Sequence, residues 1–202
     1  YNVIVSQKIK KLIDEQEGWT RKMFEEGIRL KKVHGEDKIY DFSLGNPVVE
    51  PPKVVQEALV RMLTNSTDGM HRYMENNGYE VVREQIATYL KEHYGLPFNG
   101  KHVFMSVGCA GGINVLLKSM LNAGDEVIVP NPFFWEFKNY IENFGAIMRL
   151  VESREDFQMD IGRIEEAINE KTRAILINSP NNPTGAVYRE DNLKELARLL
   201  YK

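Results

Sequence analysis

Three short stretches of the chain combine residue types that could hold a ligand. Ser106-Val107-Gly108-Cys109-Ala110-Gly111-Gly112 sets small side chains between an apolar run and a helical pattern. Small residues let a backbone approach a ligand closely, and the N–H groups and dipole at a helix start favour a phosphate. No Gly-Lys-Ser/Thr follows, so this is not a Walker loop, and Ala110 breaks the G-x-G-x-x-G dinucleotide pattern. The bland alternative is a tight helix–sheet contact. Asn178-Ser179-Pro180-Asn181-Asn182-Pro183-Thr184-Gly185 fixes a loop with two prolines and a glycine, and offers two adjacent amides on that frame. The bland alternative is an ordinary Asn/Pro turn. Asn131-Pro132-Phe133-Phe134-Trp135 could turn an aromatic face to a flat ring, or simply pack in the core.

The elements that must position these stretches follow from periodicity. The charged segment 6–34 reads as helical, interrupted near Gly18 and stopped at Gly35. Residues 39–44 alternate like a strand, and Pro51-Pro52 opens a helix to about Leu63 with Val54, Val55, Leu59 and Met62 on one face. A polar loop spans 65–77 and an amphipathic helix 78–93. Beyond Lys101 the spacing predicts strands at 103–107, 126–129, 146–151 and 173–178. Helices are expected at 113–121, 132–144, 161–168 and 191–200, and 108–112 reads as a small-residue turn. Strands alternating with helices predict a parallel sheet joined by right-handed crossovers, covered on both faces. Ligands gather at the carboxyl ends of such strands, where all three stretches fall. The last residues end inside an amphipathic helix, so the expectation is an incomplete sheet in a piece of a longer protein.

Composition narrows the class. The chain has 202 residues, 43 % hydrophobic and 27 % charged, the profile of a globular domain rather than a disordered chain. Lys plus Arg is 26 and Asp plus Glu 29, a net charge of −3, without the basic excess of a nucleic-acid binder. No apolar run approaches the roughly 18 residues of a membrane span. One cysteine, Cys109, allows no internal disulfide and fits a reducing compartment, and with no signal peptide the expected location is cytoplasmic. His34, His71, His93 and His102 lack metal-ligand spacing, so no metal site is expected. Cys109 is expected to pack, and Trp19 and Trp135 to serve packing or an interface.

Taken in order, the three stretches, with Leu44-Gly45-Asn46-Pro47, Arg72-Tyr73 and Asn77-Gly78-Tyr79, resemble the fold-type I, pyridoxal-phosphate-dependent aminotransferases of the aspartate aminotransferase superfamily. The octapeptide 178–185 is the most specific piece. The likeness runs over nearly the whole chain, yet covers only about the first half of a family member. It implies a three-layer α/β/α fold with a mostly parallel sheet, incomplete here. Residues 1–47 would form an N-terminal helical segment and part of the small domain or dimer arm, and 48–202 the first part of the cofactor-binding large domain.

The resemblance also implies roles. Backbone N–H groups around Gly108, Cys109 and Ala110 would hold the pyridoxal 5'-phosphate, Phe134 would stack on its ring, and Asn182 would hydrogen-bond its ring hydroxyl. Tyr73 would reach the phosphate in the neighbouring subunit of a homodimer, and Gly45 would lie near the substrate carboxylate. The substrates would be an amino acid and a 2-oxo acid, with neither nucleic acid nor membrane as partner. Ala110 departs from the hydroxyl or amine common at its position, so weaker cofactor retention is expected. The Schiff-base lysine would lie beyond Lys202, leaving no catalytic residue in this segment and no expected turnover by it alone. Rival readings are another reaction on the same scaffold, such as C–S lysis or aminocyclopropane-carboxylate synthesis, or a shortened, non-catalytic binding protein.

Overall fold

Val127, Ile128 and Val129 are sealed from solvent, and in an extended chain they must face alternately. Val127 and Val129 join one cluster with Leu117, Phe137 and Ile141, while Ile128 joins another with Met159, Ile161 and Ile164. Their strand, β1 (Glu126–Asn131), is the centre of the sheet. β2 (Ile147–Glu152) pairs parallel to it on one side, from Glu126 opposite Ile147 to Asn131 opposite Glu152. β3 (Thr172–Ile175) pairs parallel on the other, with Ile128 opposite Ile175. The chain steps from β1 to β2 through α5 (Glu136–Glu142), then back past β1 to β3 through α6 (Ile161–Ala167). Because the two steps run in opposite directions, one crossover hand puts the two helices on opposite faces. α4 (Gly108–Met120) joins α5 on the first face, and α7 (Glu190–Leu200) joins α6 on the second. This is the three-layer α/β/α arrangement expected from the sequence.

These elements come from a computed structural model that describes residues 4–7, 9–10, 19–43, 45, 47 and 49–201. The expected break at Gly18, the side chain of Trp19, and Leu44, Asn46 and Lys202 lie outside the described residues. The chain forms two compact units, residues 1–72 and 73–202. In the first, α1 (Trp19–His34) carries Lys31, Lys32 and His34 in its last turn, where cations complement the helix dipole. α2 (Lys53–Thr64) leaves Val54, Val55, Leu59 and Met62 exposed.

Among the described residues, two expected strands do not form. At 39–44 the Asp41 carboxylate accepts from Ser43 N (3.0 Å) and Ser43 Oγ (2.6 Å), which bends the chain and holds the carboxyl below its usual range. At 103–107 the only backbone bond to another segment is Met105 N donating to Asn77 O (3.1 Å), and no strand pairs there among the described residues. Elsewhere the limits move. β1 runs two residues longer than expected, β3 stops at Ile175, and the helix expected over 132–144 begins only at Glu136. The turn at 108–112 is the first turn of α4.

The second unit contains a buried charge that positions one candidate site residue. Arg83 lies on α3 (Glu80–Tyr94), in line with buried Ala87 one turn on, and is 7 % exposed. Its Nε donates to Gly78 O (2.9 Å), Nη1 to Gly100 O (2.6 Å) and Nη2 to Glu75 Oε2 (3.3 Å). A guanidinium spreads its donors over three nitrogens in a fixed planar fork and so reaches acceptors set well apart, whereas an ammonium offers all of its donors from one atom. The guanidinium thus ties the turn 75–78, just after Tyr73, to the segment leading towards α4. Gly78 has φ +92°, and a Cβ there would collide with the Met105 side chain, so glycine is required on both counts. Replacing Arg83 removes the side-chain donor from the buried Gly78 carbonyl and leaves Gly100 O with only the longer bond from Val103 N (3.3 Å). Arg83→Met should lower the unfolding free energy by about 2–4 kcal/mol. Glu75→Ala should cost less than about 1 kcal/mol, because the Glu75 side chain is 63 % exposed. Urea denaturation of the two variants checks this, and equal losses would contradict it.

Candidate functional site

β1 and β3 are parallel neighbours, so the loops that leave their carboxyl ends emerge side by side. One is 131–135, the other 178–185, and one side chain joins them. Asn181 Nδ2 donates to Pro132 O at 3.3 Å. The same amide's Oδ1 accepts from Thr184 N (3.2 Å) and Thr184 Oγ1 (2.9 Å). Its backbone N–H donates to Ala186 O (2.8 Å), and its carbonyl accepts from Gly185 N (2.7 Å). Asn182 N donates to Asn178 Oδ1 (2.7 Å), and Tyr188 N donates to Ser179 Oγ (3.1 Å), which closes the loop on itself. Burial pushes the Tyr188 phenol up in pKa, and the Asn181 side chain beside it opposes that shift. The peptide bonds before Pro132, Pro180 and Pro183 are cis. In this hydrogen-bonded loop Asn181 is buried and Asn182 is exposed.

In the neighbouring loop, Phe134 is half-buried against the first core cluster and meets Phe137 edge-on, centroids 5.5 Å apart at 87°. That contact fixes the ring while leaving part of it to solvent. Phe133 also packs on the cluster, and Trp135 stacks on it at 6.2 Å with the Lys138 ammonium 5.4 Å from the Trp135 ring. Trp135 is 46 % exposed and makes these ring contacts within its own stretch of chain.

The third corner is the start of α4. A helix leaves its first N–H groups without intrahelical acceptors, and no side chain caps these. Gly108 N donates to Ser106 O (3.0 Å), so the donors that face outward begin with Cys109 and Ala110. Gly108 has φ +67° with open space where a Cβ would stand. At Gly112 a Cβ would come within 2.9 Å of Ser106 Oγ, so a larger residue there would turn that hydroxyl aside. Cys109 is exposed, which corrects the expectation that it packs. Ile113 and Phe134 pack on the same cluster, which brings this corner to the second. Burial, then the charges of Glu136 and Cys109, push the pKa of the half-buried Tyr140 phenol up.

Tyr73 is fully exposed on the loop that Arg83 secures. Gly45 is exposed, with open space where its Cβ would be, and belongs to the first unit. All four histidines are exposed, and no group of His, Cys, Asp and Glu among the described residues could hold a metal. No described helix is long and apolar enough to cross a membrane. Sequence reasoning passed over Arg83 and Asn181. Arg83 shows in the sequence as one charge on an otherwise apolar helical stripe. Nothing in the sequence separates Asn181 from Asn182.

A sequence model of the family described as aminotransferase class I and II matches residues 37–202. The aspartate/prephenate aminotransferase of Thermus thermophilus is 34 % identical over 157 residues, covering 77 % of this chain and 40 % of that protein. The aspartate aminotransferase of Pyrococcus horikoshii is 31 % identical over 179 residues, covering 88 % of this chain and 44 % of that protein. The crystal structure of an amino transferase from Eubacterium rectale superposes with a TM-score of 0.89 at 33 % identity, over 98 % of this chain and 51 % of that one. The chain thus spans about half the length of the relatives it matches or less.

Proposed function

This chain belongs to the class I and II aminotransferases of the pyridoxal-phosphate-dependent fold type I, and from that premise we propose that the whole protein moves an amino group between an amino acid and a 2-oxo acid. The observation that carries the reading is the junction of the two loops through Asn181 and Pro132, which gathers a half-open aromatic ring and an exposed amide at one sheet edge. When bound, pyridoxal 5'-phosphate supplies the electron sink and the carbonyl that takes up the amino group. The residues present fit it. The uncapped start of α4 offers Cys109 and Ala110 N–H groups to a phosphate, and the space at Gly108 leaves it an approach. Phe134 offers a ring face, and the exposed Asn182 amide offers a donor to a phenolic oxygen.

Tyr73, fully exposed, suits a reach to the phosphate of a second copy, which makes the working form a homodimer with shared sites. Gly45 suits a backbone N–H contact to the substrate carboxylate. Residues 1–47 would serve the small domain and dimer arm, and 48–202 the large domain. A cytoplasmic location fits the lone, unpaired Cys109. The lysine that anchors the cofactor is not assigned to any residue of 1–202.

Two tests follow. The natural full-length protein should turn yellow with pyridoxal phosphate and be trapped by borohydride as a lysine adduct outside 1–202, while the isolated 202 residues should show no transaminase turnover. A colourless, untrappable protein contradicts the reading, and turnover by the isolated chain contradicts the account of the lysine. Ala110 is exposed, so a hydroxyl fits there. Ala110→Thr should tighten cofactor binding about three- to tenfold, measured as the dissociation constant by cofactor absorbance. An unchanged constant would show that backbone donors alone set retention.

A further inference from the structure

We propose that Asn181 is a positioning residue that couples two corners of the site, so that the loop presenting Asn182 sets the place of the loop presenting Phe134. The inference rests on the cofactor reading above and extends it, since that reading gives Asn181 no part. Asn181 is 8 % exposed, and its side chain faces away from the open edge where Asn182 stands, into its own loop and the neighbouring one. Its amide donates across the loops to Pro132 O and accepts within its own loop from two groups of Thr184. A side-chain amide does both at once, with donor and acceptor on one planar group, whereas a carboxylate lacks the donor and an aliphatic chain lacks both.

Asn182 follows Asn181 directly, and Phe134 lies two residues beyond Pro132. Both side chains hang from the ends of one hydrogen-bonded bridge. An amide donated to the phenolic oxygen of a bound ring stabilises its anionic form and lowers the pH at which the bound cofactor gives up its proton. Loss of the bridge lets the Asn182 amide drift from its aim, and the midpoint of that titration rises.

The experiment uses the natural full-length protein loaded with pyridoxal phosphate, and reads the pH midpoint of its visible absorbance and the cofactor dissociation constant. Asn182→Ala serves as the reference and should raise the midpoint. Asn181→Ala and Asn181→Asp should raise it by about half a pH unit or more and weaken cofactor binding about three- to tenfold. The double variant Asn181→Ala/Asn182→Ala should move the midpoint no further than Asn182→Ala alone, since Asn181 acts through its neighbour. Thr184→Val removes only the hydroxyl behind Asn181 Oδ1 and should shift the midpoint the same way by less, which keeps the test decisive if Asn181 variants do not fold. If Asn182→Ala moves the midpoint while the foldable Asn181 variants and Thr184→Val do not, the coupling is wrong and the cofactor reading stands. A fully additive double variant refutes the coupling as well. If Asn182→Ala itself leaves the midpoint in place, the cofactor reading falls and the coupling falls with it.

Discussion

Parallel pairing of β1 with β3 is the constraint on which the site depends. Two parallel strands have their carboxyl ends at the same edge, so the chain leaving each is delivered to the same place. Antiparallel pairing would send the 131–135 and 178–185 loops to opposite edges, and no side-chain chemistry could bring them together. The pairing is secured by the alternation along β1. Val127 and Val129 seal one face and Ile128 the other, so slipping the register by one residue would exchange two buried faces. The buried aliphatic side chains, each contributing about 1.5–3 kcal/mol, hold the edge rather than fill the site.

Polar side chains then refine what the apolar layers deliver. Arg83 and Asn181 are both buried, and each spends its hydrogen-bonding capacity on backbone carbonyls or neighbouring loop groups. The two act at different scales. Arg83 ties a turn near Tyr73 to Gly100, within the approach to α4, while Asn181 ties two loops that leave adjacent strands. Arg83 reaches Gly100, 17 positions on, and Asn181 reaches Pro132, 49 positions back, so these two contacts exist only once the fold has formed. Satisfied networks of this kind stiffen a structure locally, because a half-satisfied alternative leaves a buried group exposed to its full desolvation cost.

The layered fold was legible because β1 is apolar on both faces and the helices between strands have clear periodicity. The octapeptide at 178–185 was legible because two prolines and a glycine restrict a loop whatever surrounds it. The strands expected at 39–44 and 103–107 were not realised, because a strand is a partnership and an alternating segment does not carry its partner with it. In the first case a side-chain carboxylate captured the backbone instead. The burial of Cys109 was misjudged for a related reason. A small thiol in a run of glycines reads as packing, but the first turn of α4 projects beyond the cluster into which Ile113 and Leu117 reach. Which of two adjacent asparagines turns inward depends on Pro132, some fifty positions upstream, and no local pattern encodes that.

The entrance to α4 is made of main chain and small side chains, with glycine at 108, 111 and 112. A feature built this way has an unusual pattern of vulnerability. Deleting side-chain atoms there removes almost nothing, since the donors belong to the peptide backbone that every residue shares. Adding a side chain is what does harm, most directly at Gly108, whose φ of +67° strains any other residue, and at Gly112, where Ser106 Oγ would have to turn aside. Substitutions at these glycines are therefore sorted by volume and backbone geometry rather than by polarity.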